Sequence, residues 1–388
     1  MSRAISNHRL PETARFGYIP GLDGLRALSV LVVIIAHMGL EHIVPGGFGV
    51  TVFFFISGFL ITRLLLAEHE SGGRIGLSKF YIRRAVRLYP ALLFMVIVTT
   101  AIYGFAHWGG PKLFEGLAAV FYGTNIYQVF VREGGSIPFM PWTHLWSLAV
   151  EEHFYLVFPA FMVLMKGNWK RAGYALFGII MAVLAWRIFI HMGTDLKASN
   201  YNYMMTDARL DSLAWGCLLS VLLHRFKDAA RLKYLIGALP FIGSLAVILA
   251  SFLIRDESFR YTLRFTVQGA ALFVLILNLY YWKPLDFAFA ILEWRPLAWI
   301  GTISYALYLW HVPIIDICIR TLGDSLSSRL IALPISFALA AISFYIVEKP
   351  FIALRKKFGS HGISRLNKKG DAPPETSESA PEKSVTTG

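Results

Sequence analysis

Leu22–Leu40 reads LDGLRALSVLVVIIAHMGL, an apolar run broken at depth only by Arg26 and His37. At a helical rise of 1.5 Å per residue it is roughly 28 Å long, close to the ~30 Å hydrocarbon thickness of a bilayer. Comparable runs recur near 46–66, 88–107, 145–165, 173–192, 208–224, 234–254, 262–282, 297–319 and 328–347. The composition agrees, since 56% of the 388 residues are hydrophobic and only 16% are charged, against about 25% charged in soluble domains. These runs predict an all-α, polytopic transmembrane helical bundle of about ten spans. The first run outlasts the apolar region of a signal peptide and no A-x-A cleavage pattern follows it, so it reads as a retained helix.

A net charge of +13 would point to nucleic acid in a soluble protein. In a membrane protein the placement of the positive charge carries the meaning, and no nucleic-acid partner is expected. With the amino terminus in the cytosol, most Lys and Arg fall on cytosolic segments, which predicts both termini on that side. The organisation expected is a cytosolic segment 1–20, a membrane domain 21–352 and a polar tail 353–388 whose Pro/Ser/Glu/Lys composition cannot bury a core. The long external loop 108–144, rich in Gly, Pro and aromatics, suits a partly ordered cap over a site and equally a plain connector. Cys217 and Cys318 sit in apolar stretches and read as buried small hydrophobes, with no metal site expected.

Ionisable groups at bilayer depth are costly and point to function. Arg26 and His37 are eleven residues apart, almost three whole turns, so they share a helical face roughly 16 Å apart along the axis. The fourth helix runs inward from Trp142 and His144 through Trp146-Ser147-Leu148-Ala149-Val150-Glu151-Glu152-His153-Phe154-Tyr155. By counting residues from the helix ends, Glu151 falls at a depth similar to that of His37. A carboxylate that orients an imidazole builds a general base; an ion pair of Glu151 or Glu152 with an intramembrane arginine is the competing structural reading. Arg209 and Asp211 open the sixth helix on different faces, so each needs its own partner. Tyr308 and His311 lie in the ninth, and Arg187 lies within the fifth. On the cytosolic side Arg83, Arg84 and Arg87 occupy one side of a helical turn. Guanidinium groups so placed suit phosphate oxygens, although positive-inside retention also explains such a cluster.

Together these segments resemble the bacterial acyltransferase-3 family of membrane-bound O-acyltransferases over about residues 16–352. Arg26 and His37 match its R-x10-H, Gly58-Phe59 its SGF-type second helix, and Arg84 and Arg87 its R-x-x-R. Glu151, Phe154 and Tyr155 match E-x-x-FY; Arg209, Asp211 and Gly216 match the R-x-D pattern. Ser304-Tyr305, Tyr308 and His311 match S-Y-x-x-Y-x-x-H, and Glu348-Lys349-Pro350-Phe351 matches the closing E-x-PF. Thr51 stands where many members carry Asp.

The resemblance implies a multi-pass protein of the bacterial inner membrane, surrounded by membrane lipid. It implies cytosolic acyl-CoA, usually acetyl-CoA, as donor substrate, with no permanently bound cofactor. The acceptor implied is a hydroxyl of a carbohydrate-type molecule: an envelope glycan, an exopolysaccharide or a lipid-linked sugar. Members with a fused SGNH domain acquire it after further helices, whereas this chain stops at a short tail, so a second transfer step would need a separate periplasmic or glycan-assembly protein. On this basis His37, Glu151 and Arg26 are the expected catalytic residues, and Arg84, Arg87 and Arg83 the expected donor-binding ones. Glu152, Tyr155, Arg209, Asp211, Tyr308 and His311 are further site candidates. His37 is expected to act either as general base on the acceptor hydroxyl or as acceptor of the acyl group itself, with Glu151 orienting it. A secondary transporter or flippase for a glycolipid is the main alternative, because polar residues at depth also line transport paths.

Overall fold

The computed structural model describes residues 19–131, 140–193, 198–226 and 229–355, and among these it contains helices and no strand. The segments read at 1–20 and 353–388 fall almost entirely outside the described residues. Every apolar run identified in the sequence is helical. Helix α1 spans Leu22–Ile35 and continues through a wider, π-type turn, Ala36–Leu40. It is followed by α2 (Gly46–Gly72), α3 (Leu77–Phe105), α4 (Trp146–Leu164) and α5 (Trp169–Gly193). Then come α6 (Thr206–Phe226), α7 (Ala238–Leu253) and α8 (Leu263–Tyr281). Helices α9 (Arg295–Thr302) and α10 (Ser304–Leu322) meet at a 72° bend, and α11 (Leu326–Ile342) leads into residues up to Leu354.

Among the described residues seven helices are long and apolar enough to cross a membrane, and the bent α9–α10 pair makes an eighth if counted as one span. The other two runs are α6, which carries Asp207, Arg209, Asp211 and Arg225, and the 16-residue α7. One boundary differs materially from expectation. Helix α3 begins at Leu77, eleven residues before the apolar window read at 88, so Arg83, Arg84 and Arg87 ride on the same rigid rod as the span. A hydropathy window registers only the apolar part of such a helix, because long basic side chains extend towards water while the backbone stays helical.

Helix α2 is the axis of the bundle, with 83% of its apolar window buried, against 33% for α3 and 28% for α5 and for the last span. Close approach at the axis is made possible by glycine. A Cβ on Gly58 of α2 would lie 2.0 Å from the Leu213 carbonyl oxygen of α6, and one on Gly216 of α6 would lie 2.0 Å from the Phe55 carbonyl oxygen of α2. Small residues at helix crossings are the usual means of packing in lipid, where no hydrophobic drive holds helices together. Gly216→Ala is therefore expected to destabilise the bundle by about 1–3 kcal/mol, the cost of overpacking a tight contact. Gly178→Ala, with nothing within 4 Å of its Cβ, is expected to be neutral. Thermal unfolding of both variants in detergent checks this, and equal midpoints would remove the backbone crossing as the cause.

The loop read as a cap behaves differently. Its described parts form short helices at Leu113–Val120 and Thr124–Ile126 that pack beside α3 and α4. They are held there by Trp142 Nε1 donating to Thr99 Oγ1 at 3.0 Å and the Met140 amide donating to Glu115 at 2.9 Å. Of the described residues of 108–144, His144 alone borders the large cavity described below; 132–139 lie outside the described residues.

Candidate active site

Two cavities enter the bundle from opposite ends of α1 and α2. The narrower one, about 100 Å³, is lined by Arg26 near the start of α1, by Ser57 and Leu64 in the latter part of α2, by Arg84 and Arg87 of α3, and by Glu151 of α4. The wider one, about 900 Å³, is lined by His37 at the end of α1, by Gly47 and Phe48 at the start of α2, and by His144 and Trp146 where α4 begins. Val50 and Tyr308 line both, so the cavities adjoin there.

His37 lies in the π-type turn, where the helix widens before the chain reverses at Gly39, whose φ of 91° is left-handed. Such local departures from the α-helix re-aim a side chain and are frequent at functional sites. The imidazole is exposed to the wide cavity. Its Nδ1 lies 3.2 Å from Nε2 of His311, a fully buried side chain of α10. His311 Nδ1 in turn lies 2.7 Å from the Tyr308 carbonyl oxygen. A carbonyl only accepts, so Nδ1 of a neutral His311 carries the proton and its Nε2 accepts. His37 Nδ1 must then donate, which leaves His37 Nε2 with its lone pair available. That is the protonation pattern a general base or nucleophile requires. His144 completes the cluster, with its ring centroid 5.1 Å from that of His311 and its Nε2 donating to the Leu309 carbonyl at 3.2 Å. Tyr308 is fixed by donating to the His144 carbonyl at 2.8 Å, and Ser147 Oγ lies 2.6 Å from the same phenol oxygen.

Glu151 does not orient His37. Seven residues, roughly 10 Å of helix, separate it from His144, which stands level with the histidine cluster. Glu151 therefore lies in the narrow cavity, where it accepts hydrogen bonds from Ser57 Oγ and from Tyr155 OH. Counting residues from helix ends equated two depths that the packing of α4 keeps apart, and His311 takes the place expected of Glu151.

Glu152 accepts from Arg84 Nη2 at 2.9 Å and Nε at 3.3 Å, with the guanidinium 3.2 Å from the centroid of Tyr155. The competing ion-pair reading thus holds for Glu152, while Arg84 still borders the narrow cavity beside Arg87. Arg83 turns away from that cavity and pairs with Glu68 at 3.1 Å. Arg26 lines it, with Asp23 4.0 Å distant.

Arg209 and Asp211 have separate partners, as their spacing requires, and neither lines the two cavities. Asp211 is held in two contacts of 2.8 and 2.7 Å by Arg187, both side chains being fully buried. Arg209 donates to Thr51 Oγ1 at 3.0 Å and lies 3.8 Å from the ring centroid of Phe265. Thr51, which departs from the Asp that the family resemblance leads one to expect, offers its hydroxyl oxygen to this arginine. In the sequence His144 and Ser147 stand at the opening of α4, Ser147 inside its W-S-L and His144 two residues before it, but neither they nor Ser57 is read there as a site residue.

Fold and site together define a polytopic, helical membrane protein with a pair of hydrogen-bonded imidazoles, one of them in the wall of the wide cavity. Residues 19–348 match the family model described as "Acyltransferase domain", and the chain belongs to that family. It is 34% identical over 90% of its length to "Putative O-acetyltransferase SACOL0978" of Staphylococcus aureus (strain COL), and covers 59% of that protein. It is 35% identical over 77% of its length to "O-acetyltransferase OatA" of S. aureus (strain NCTC 8325 / PS 47), covering 51%. With "Peptidoglycan O-acetyltransferase OatA" of Listeria monocytogenes it shares 31% identity over 88% of its length, covering 57%. The chain thus spans between about half and three fifths of the length of these relatives. No solved structure matches it.

Proposed function

We propose that this protein moves an acyl group, acetyl in the first instance, from acyl-CoA to a hydroxyl of a carbohydrate-type acceptor. The observation that carries this is the position of His37, whose unprotonated nitrogen belongs to the wall of the wide cavity, which adjoins the arginine-lined cavity at Val50 and Tyr308. The relatives' names agree with O-acetyl transfer. In this scheme the CoA phosphates lie at Arg84 and Arg87 on the cytosolic face, and the thioester reaches His37 past Tyr308. Arg26 guides the pantetheine arm. His37 Nε2 either takes the acceptor's hydroxyl proton as that oxygen attacks the thioester carbonyl, or attacks that carbonyl itself and passes the acyl group on; in both routes CoA thiol is the leaving group.

Two adjoining cavities would also serve a transport path, and CoA chemistry separates the two. Purified protein with labelled acetyl-CoA should release CoA thiol; transport of a glycolipid with no CoA release would sink the transferase. Donor contacts make a second expectation. Arg84→Ala and Arg87→Ala should each weaken CoA binding by about 1.5–3 kcal/mol, the value of a hydrogen bond to a charged group. Lys should restore only part, because it lacks the guanidinium fork. Equal affinity of the Lys variants and wild type, with correct topology, would reduce these arginines to topology signals.

A further inference from the structure

We propose that Arg255, Arg260 and Arg264 form an anion subsite at the His37 cavity that holds a carboxylate or phosphate of the acceptor, making the acceptor an anionic glycan or glycolipid. This rests on the transferase function proposed above and adds the acceptor's charge class. The three arginines come together because the chain reverses between α7 and α8 through the short helix Glu257–Tyr261. All three line the cavity that exposes His37, not the one bordered by Arg84 and Arg87.

Their charge is not cancelled locally. Among the described residues no carboxylate forms an ion pair with any of them, in contrast to Arg83, Arg84, Arg187, Arg320 and Arg329, which all have one. Two acids are close in sequence: Asp256 caps the short helix by accepting from the Phe259 amide at 2.8 Å, and Glu257, in the helix's exposed first turn, forms no ion pair with these arginines and does not line the cavity. Glu41 borders the cavity as a single acid against three arginines, with His42 3.9 Å away from it. Two of the three lie over aromatic rings. Arg260 lies 5.7 Å from the ring centroid of Tyr261 and Arg264 5.9 Å from that of Phe252. Contact of a guanidinium with a ring leaves N–H donors unmatched, and their best partner is an anionic oxygen bound by two parallel donors. The half-buried Arg264 loses part of its hydration with no protein anion in exchange, a cost that a bound anion offsets. Positive-inside retention does not explain the cluster, since on the expected orientation it faces away from the cytosol. Asn200 and Gln268 add neutral hydrogen-bonding groups to the same wall, as a sugar requires.

The test uses the full chain in phosphatidylcholine nanodiscs and two probes that differ only in a carboxylate, octyl glucuronide and octyl glucoside. Wild type should bind the glucuronide tighter by about tenfold or more, the worth of one charge-assisted contact. The Arg260→Gln/Arg264→Gln variant should lose that preference while binding CoA as wild type does, which shows that it is folded; the corresponding Lys variant should keep part of the preference. Equal binding of both glycosides by wild type, or a preference surviving in the Gln variant, would overturn the proposal. So would arginine-dependent capture of phosphatidylglycerol, added to the nanodiscs, without any preference between glycosides, since the anion held would then be a lipid headgroup. Absence of CoA release from acetyl-CoA by wild type would sink the transferase function alone, leaving the glycoside preference as it stands.

Discussion

His37→Ala is expected to lower acyl transfer by on the order of 10²–10⁴-fold, the usual contribution of a positioned acid–base group, while membrane insertion and CoA binding stay intact. The reason is local. His37 is open to the wide cavity and none of its contacts supports the crossing of α2 and α6, so its removal empties a site without loosening the bundle. The structure adds a companion expectation that separates chemistry from positioning. His311 is fully buried and lines neither cavity, so in the proposed mechanism it acts through His37 by accepting the hydrogen bond that Nδ1–H donates. His311→Phe should therefore lower kcat with little change in the donor's KM, because the tautomer of His37 is no longer selected. His311→Gln, whose amide oxygen can accept the same hydrogen bond, should recover part of the rate. Wild-type turnover by a well-inserted His37→Ala protein would remove the central residue of the mechanism. Equal loss in the Phe and Gln variants would reduce His311 to packing.

The second large effect concerns stability. Arg187 and Asp211 are both fully buried, and the guanidinium also donates to the Thr262 and Ala208 carbonyls at 2.9 and 2.7 Å. Thr266 Oγ1 donates to the carboxylate at 2.7 Å, so α5, α6 and α8 are tied at one point. Removing one partner of such a pair leaves an uncompensated charge, and Asp211→Ala should cost about 3–5 kcal/mol. An apolar double replacement, Arg187→Met with Asp211→Leu, should recover most of that, since it buries no lone charge. Unfolding midpoints of the three proteins in one detergent decide the matter. A single variant as stable as wild type would mean that water or lipid headgroup reaches Arg187. Because Asp211 lines neither cavity, its loss should act on activity through the amount of folded protein; a fall in kcat per folded molecule would return it to the site.

What the amino-acid sequence determined was the set of helices and the residue types that could do chemistry. Apolar runs of span length have one way to satisfy their backbone in lipid, so each became a helix where the run lay. The spacing of Arg209 and Asp211 likewise denied them a shared partner, and the structure gives them Thr51 and Arg187. Which groups meet was another matter. His37 finds His311 at a separation of 274 residues, and Glu151 finds Ser57 at 94, through contacts between helices whose rotation and tilt depend on where backbones approach. Those approaches are set at Gly58 and Gly216, where the absence of a Cβ matters only once the facing helix is present. The arginines beyond α7 show the same limit. In the sequence Arg255 and Arg260 are charges in a polar connection and Arg264 stands at the start of the next apolar run, and only the reversal into α8 brings the three to the cavity that contains the imidazole. Residue count along one helix measures depth but not direction, and a site is decided by direction, which arises when side chains of different helices exclude one another's volume.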